Sequence, residues 1–242
     1  MNSTAGNDTL PARTTIEVVS DILQSLIFIS ALVGNSMLII SLKIRQSGGL
    51  KFVDKLMLNT VVCNLLFVII CIPVEIVQHV YHYPFTEAVC KLIDPLSTYL
   101  FSCCVFTYVA IAFERWVLIS SMTYEPPTRV HTFLVFLAIH VCGLFSVSPY
   151  MPVLKLKDEN GRIVCGETWA ITSRKSYTLA LFLLQYGVPV PLLVVFYAKA
   201  WFIVYESNRH LFRSMLPSSV KRLIDTHHSF SVQSRKTLGP PD

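Results

Sequence analysis

Charge is what this sequence has least of. Only 14% of its 242 residues are Asp, Glu, Lys or Arg, against about 25% in an ordinary soluble domain. The shortage is concentrated in five windows with no charged residue at all: 22–42, 56–74, 95–113, 130–154 and 176–198. They run 21, 19, 19, 25 and 23 residues. Uncharged apolar runs of about 18 or more read as membrane-spanning helices. That pattern excludes a soluble enzyme, a disulfide-stapled secreted domain and a disordered tail protein. It also excludes a transmembrane barrel, whose strands are about 10 residues long and alternate in polarity. The sequence lacks an internal repeat at about 20–50 residues. Its windows lack Asp and the chain lacks Gly-x-Ser-x-Gly, so an intramembrane protease has neither paired acids nor that nucleophile motif. Inverted repeats and broken helices of a transporter are not evident. The expected fold class is therefore all-α, an integral membrane helix bundle. No enzymatic activity, cofactor or metal site is expected.

The charges that are present give an orientation. With the N-terminus outside, the inner segments hold 13 Lys and Arg and the outer ones 7. Basic residues concentrate on the cytoplasmic side, so N-out is favoured. Five of the 7 outer residues fall in the loop 155–175. The net charge of +5 needs no nucleic acid, because basic loops are normal on membrane proteins. Asn2-Ser3-Thr4 and Asn7-Asp8-Thr9 are glycosylation sequons ahead of the first span, which agrees with that orientation. No cleavable signal peptide is expected. The first apolar run starts only at Ile22, is too long for an h-region and lacks a basic segment before it.

Of seven cysteines, Cys63, Cys71, Cys103, Cys104 and Cys142 lie inside the windows, where a thiol behaves as a small hydrophobe. Cys90 and Cys165 lie in segments that N-out topology exposes to the oxidising exterior. They form either a bridge from the third span to the following outer loop, or two free loop thiols.

Three regions follow. Residues 1–21 are read as a polar, disordered, glycosylated exterior segment. Residues 22–205 are the helix bundle. Residues 206–242 are a mostly disordered cytoplasmic tail. Gly48-Gly49 marks the turn of the first inner link. Pro73 should kink the end of span two. Asn160-Gly161 suggests a hairpin turn between strands Val153–Lys157 and Arg162–Glu167.

Glu114-Arg115-Trp116 directly follows the third window. Arg115 lies 25 residues after Cys90, or roughly 37 Å of helix, enough to cross a bilayer with its headgroups. One helix thus joins an exterior cysteine to an interior acid–arginine pair. Span one carries Gly34-Asn35, and span two opens on Leu58-Asn59. Pro149 lies late in span four, and Tyr186, Pro189 and Tyr197 give Tyr-x-x-Pro-x7-Tyr in span five. In this order and spacing the chain resembles the rhodopsin-like family of G-protein-coupled receptors. The resemblance implies a disulfide between Cys90 and Cys165. It makes Glu114, Arg115 and Trp116 a G-protein-facing motif, with Glu114 and Arg115 as a charge latch. Asn35, Asn64, Pro189 and Tyr197 become helix-core positions. Asn35 is a buried amide needing a partner, and Asn64 is the natural candidate. Pro189 should loosen span five at mid-membrane.

Departures from the family pattern matter as well. Asn64 stands where the family's second span has Asp, and Cys104 where its sodium pocket has Ser. A hard cation prefers anionic or hydroxyl oxygen, so no sodium site is expected. Ile139 replaces a span-four Trp, with His140 beside it as a satisfied core residue. Ser97 stands where amine receptors carry their Asp, which argues against an amine ligand. Asp94, one turn nearer the exterior, meets a basic ligand group or caps the helix start before Pro95.

The hairpin segment, Tyr83-Pro84-Phe85 and Cys165-Gly166-Glu167-Thr168-Trp169 are similar to features of neuropeptide receptors of the neuropeptide Y, cholecystokinin and orexin groups. The resemblance implies a peptide ligand met by Asp94, Ser97, Phe101, Glu167 and Trp169. Glu167 offers a carboxylate to an amidated, Arg-containing peptide end, or pairs with a loop cation. Other implied partners are a heterotrimeric G protein, membrane lipid and a receptor dimer, at the plasma membrane.

The family has seven spans and this sequence has five. It contains neither Cys-Trp-x-Pro nor Asn-Pro-x-x-Tyr. The expectation is that the polypeptide as given does not signal alone. It is a fragment of a receptor, or a short natural form that acts as a non-signalling or dominant-negative partner of a full-length one. Such a form could be held in the endoplasmic reticulum.

Overall fold

A computed structural model of the chain describes residues 15–45, 49–80, 85–121, 123–159 and 161–215. The sequons at Asn2 and Asn7, Gly48, the Tyr83-Pro84 pair, Asn160 and the tail beyond 215 lie outside the described residues.

Five helices are long and apolar enough to cross a membrane. Helix α1 is Thr15–Arg45. Helix α2 is built of Phe52–Leu66, a π turn at Phe67–Cys71 and Ile72–Val80. Helix α3 is Glu87–Ser120 and α4 is Arg129–Val147. Helix α5 is built of Ile171–Phe182, a π turn at Leu183–Gly187 and Pro189–Met215. Between α4 and α5 lie a 3-10 turn at Met151–Val153 and the antiparallel strands β1, Leu154–Glu159, and β2, Arg162–Glu167. The hairpin expected from the sequence is there, with Leu156 opposite Cys165. Gly161 takes a φ of 80°, the left-handed backbone that favours glycine.

Three helix ends differ from the sequence reading. Helix α1 begins at Thr15 rather than Ile22, so residues 15–21 are not a disordered segment. Helix α5 begins at Ile171 and runs past Tyr205 to Met215, so residues 206–215 are helical. Charge marks where the hydrocarbon ends, but the helix ends only where its backbone is stopped. The first proline after Tyr205 is Pro217, and nothing earlier removes a donor. Asp94 does not cap α3. Thr86 does, its hydroxyl oxygen accepting from the Val89 amide at 3.4 Å, while Asp94 sits two turns inside the helix.

Pro73 and Pro189 act alike. Each follows a π turn by two residues, and the residue between donates five back: Val188 N to Leu183 O at 2.9 Å, and Ile72 N to the Phe67 carbonyl. A proline ring crowds the carbonyl four residues earlier. Widening one turn takes that carbonyl out of its way.

Helix α3 packs against α2, α4 and α5. Its inner face joins Leu56, Cys63 and Cys71 of α2 and Ile139 of α4 in one core around Leu100, Cys103, Cys104 and Ile111. The outer faces of α1, α4 and α5 expose large apolar side chains such as Met37, Phe145 and Trp201, as lipid-facing surfaces do. Lipid removes most of the hydrophobic drive between helices, so close packing and internal hydrogen bonds carry the association. Gly143 of α4 shows the first. A Cβ there would lie 2.8 Å from Cys103 Sγ.

Candidate functional site

At the exterior end, Cys90 and Cys165 are bonded, with Cα atoms 5.7 Å apart. The bridge ties α3 to β2, and Cys90 and Leu154 are fully buried beneath the hairpin. Three aromatic rings close the hairpin onto α4 and α5. Tyr150 stacks on Tyr177 at 5.7 Å, and Trp169 lies 4.9 Å from Tyr177. Glu167 is already engaged. One carboxylate oxygen pairs with Arg174 and the other accepts from Trp169 Nε1 at 3.0 Å. Of the two roles open to Glu167 in the sequence, pairing with a neighbouring cation is the one formed. Below this lid, Ser97 Oγ donates back to the Asp94 carbonyl at 2.7 Å, and Phe101 packs on Tyr186 with ring centres 5.7 Å apart. The ligand candidates therefore divide. Glu167 and Trp169 belong to the lid, and Phe101 lies on the α3–α5 seam, with Asp94 and Ser97 nearer the exterior on α3.

The middle of the bundle is bonded across every helix. Asn64 Nδ2 donates to Asn35 Oδ1 at 3.3 Å, and Cys104 Sγ donates to Asn64 Oδ1 at 3.2 Å. The pair expected from the sequence is in contact. The Asn64 carbonyl oxygen thus accepts from a thiol. His140 Nδ1 meets Tyr99 Oη at 2.8 Å, as a satisfied core histidine should. Asn59 Nδ2 donates to Thr107 Oγ1 at 3.0 Å, linking α2 to α3. Replacing Thr107 by Val keeps the shape and removes the acceptor. The expected loss is about 0.5–2 kcal/mol, read as a lower thermal midpoint of the chain in detergent, with Asn59→Leu in the same chain adding little further.

At the other end, Glu114 is almost fully buried, and Tyr124 of the second inner link donates its hydroxyl to Glu114 Oε1. The expected latch between Glu114 and Arg115 is not formed. Adjacent residues on a helix point about 100° apart and do not face each other, so Glu114 turns to the link and Arg115 turns away. Trp116 faces α5, stacked on Phe196 at 5.6 Å with Lys199 Nζ 4.8 Å above its ring. Arg45 of α1 pairs with Asp54 of α2 at 2.6 Å. Pro189 is buried in α5, whereas Tyr197 is exposed. Among the described residues no group of His, Cys, Asp or Glu is placed to hold a metal ion.

Burial, then the Glu114 carboxylate, pushes the Tyr124 phenol from its ordinary 10.0 up to about 12. The folded state thus favours the neutral phenol. Its contribution is complete below about pH 10 and is lost as pH rises through about 12. Ultraviolet titration should show a group of phenols with high midpoints, and Tyr124→Phe should reduce that group by one.

Comparison with known proteins now decides the family. Residues 34–237 match the family model described as 7 transmembrane receptor (rhodopsin family). The chain belongs to the rhodopsin family of seven-transmembrane receptors. Similar relatives include Galanin receptor 2a of Danio rerio, 24% identical over 75% of this chain and 51% of the relative. Neuropeptide FF receptor 1 of Rattus norvegicus is 31% identical over 72% of this chain and 43% of the relative. Neuropeptide Y receptor type 6 of Oryctolagus cuniculus is 25% identical over 79% and 56%. The chain spans about half the length of the relatives it matches.

For a rhodopsin-family chain, the sequence reading missed several residues. Gln185, in the π turn of α5, donates from Nε2 to Ser102 Oγ at 2.9 Å, and Ser102 Oγ meets Ser146 Oγ at 3.1 Å. This buried trio joins α3, α4 and α5. A signal existed: Gln185 is the sole amide in the window 176–198, and an amide inside a span needs a partner. Tyr177, Arg174, Phe196 and Lys199 were missed because nothing local marks them. Their partners come from other elements.

Proposed function

We propose that these five helices belong to a receptor that binds an extracellular neuropeptide at the α3–α5 end covered by the hairpin and couples to a heterotrimeric G protein through Arg115 at the plasma membrane. The observation that carries this reading is that the matched relatives bear the names of galanin, neuropeptide FF and neuropeptide Y receptors. The lid supports it. A hairpin held by a disulfide and three stacked rings is a preformed exterior surface, which lowers the ordering cost of binding a flexible peptide. Ser97 supports it too, since a neutral hydroxyl offers an ammonium no counter-charge. Asp94, Ser97, Phe101, Glu167 and Trp169 are the proposed contacts, and lipid surrounds the exposed faces of α1, α4 and α5.

The test is a chimera. This chain is continued by the last two spans of the rat neuropeptide FF receptor and expressed in cells, and nucleotide exchange on G protein is read with galanin, neuropeptide Y and neuropeptide FF. Exchange driven by one of them, and lost in Arg115→Ala, is the expected result. A response to amines and to none of the peptides sinks the reading.

A further inference from the structure

With the N-terminus outside, the second inner link, residues 121–128, lies in the cytoplasm. Its ends are fixed to the neighbouring helices. Ser121 N donates to the Val117 carbonyl at 3.0 Å, and Thr128 Oγ1 accepts from the His131 amide at 3.2 Å, capping α4. Between those ends no helix or strand forms among the described residues. Pro126 and Pro127 explain this. Each fixes its own φ at about −65°, and each pushes the residue before it out of the helical region. Glu125-Pro126-Pro127 is therefore an extended stretch, and Tyr124 stands directly ahead of it. The Tyr124 hydroxyl donates to Glu114. Glu114 is 5% exposed, whereas Tyr124 is only half-buried. The tie thus joins a buried carboxylate on α3 to a phenol at the cytoplasmic surface. Tyr197 and Tyr205, toward the cytoplasmic end of α5, are both inside that helix. The other described tyrosines lie within spans or at the exterior end. A kinase must bring the γ-phosphorus of ATP into line with the phenol oxygen. An extended link with an acidic neighbour, Glu125, allows that approach, and a phenol on a helical turn resists it.

We propose that Tyr124 is the acceptor for a cytoplasmic tyrosine kinase, and that its phosphorylation releases the second inner link from Glu114. The phenol oxygen attacks the γ-phosphorus of ATP. The Oη–P bond forms, the bond from that phosphorus to the β,γ-bridging oxygen breaks, and ADP leaves. The phenol proton passes to the catalytic aspartate of the kinase. The ester oxygen then has no proton to give. The phosphate adds a charge of about −1.5 to −2 where the Glu114 carboxylate had its donor. Like charges repel, and a buried carboxylate without a donor is costly, so the modified ring leaves Glu114 for water. The inference rests on the N-out orientation, not on the peptide reading. It holds equally at the plasma membrane and in the endoplasmic reticulum, because the link faces the cytoplasm from both.

The experiment uses the full chain twice: in cells treated with a tyrosine-phosphatase inhibitor, and in detergent with Mg-ATP and a purified tyrosine kinase that favours acidic neighbours. Trypsin cuts after Arg115 and Arg129 and isolates residues 116–129, in which Tyr124 is the one tyrosine. Mass spectrometry should find phosphate on that peptide in both settings and none in Tyr124→Phe. Glu114→Gln replaces a charge-assisted bond with a neutral one, so it should raise the initial rate in detergent about fivefold. Limited proteolysis with proteinase K reads the release, because cleavage needs a segment that has come free. Cleavage within 121–128 should quicken about threefold on phosphorylation, and Tyr124→Phe should be cut as fast without any phosphate. Retention of the Cys90–Cys165 bridge on non-reducing gels shows that each variant is folded, and mapping on the unaltered chain stands even if a variant is not. Phosphate on other tyrosines with none on Tyr124, in cells and in detergent alike, overturns the acceptor assignment. Phosphorylated Tyr124 with unchanged cleavage, or Glu114→Gln phosphorylated no faster than the unaltered chain, overturns the release from Glu114. Peptide-driven exchange in the chimera is a separate readout, so either reading can fail without the other.

Discussion

Cys165→Ser lowers the stability of this chain by about 2–5 kcal/mol. The bridge joins residues 75 apart in sequence, so breaking it frees a long loop in the unfolded chain. It also leaves the Cys90 thiol in a fully buried site under Leu154. The remaining ties of the hairpin are non-covalent: the six-residue strand pairing, the packing of Leu154 on Cys90 and Val74, the Tyr150–Tyr177–Trp169 rings and the Glu167–Arg174 pair. A half-exposed pair of that kind contributes on the order of 1 kcal/mol, so these contacts do not replace a covalent link to α3. The check is thermal unfolding of purified protein with and without reductant. The unaltered chain should lose stability on reduction, and Cys165→Ser should start low and not respond. If reduction leaves the unaltered midpoint unchanged, the aromatic cluster alone seats the hairpin and the bridge is dispensable.

What the sequence could reveal follows from which constraints act along the chain. The bilayer demands about 20 apolar residues per helix, a linear requirement, so all five spans were legible from charge alone. The hairpin was legible because a turn needs a residue such as Gly161 at a fixed place. Where two elements meet side by side, local reading fails. Glu114 and Arg115 are neighbours in sequence, yet a helix turns them apart, and the buried acid finds Tyr124 ten residues on. Glu167 finds Arg174 on the next helix. The two prolines were legible as disturbances, but not the form of the disturbance. A π turn adds a residue to one coil of the helix, and in α5 it is that coil that carries Gln185 toward Ser102. The helix ends were misplaced because charge reports the membrane boundary and not the backbone.

Gly143→Leu should be among the most damaging substitutions in the bundle. A Cβ at this position lies 2.8 Å from Cys103 Sγ and 3.2 Å from Cδ2 and Cε2 of Tyr99. Neither neighbour is a loose end. Cys103 is fully buried on α3, and the Tyr99 hydroxyl is bonded to His140 of α4 itself at 2.8 Å. A larger side chain must therefore move the helices apart, which opens the core around Ile139 and Leu100. Overpacking of this kind costs about 1–3 kcal/mol and occasionally more. In lipid the damage is harder to absorb, because close contact is much of what holds α3 to α4. Gly143→Leu tests the direction, and the quantitative test uses Gly143→Ala, which adds the Cβ alone. Alone it should lower the thermal midpoint. Combined with Cys103→Ala, which removes the atom nearest the new methyl, it should recover at least half of that loss, a coupling that independent sites do not show. Simple additivity of the two single losses would mean that α3 and α4 are held by something other than the glycine contact, with the Tyr99–His140 bond the first place to look.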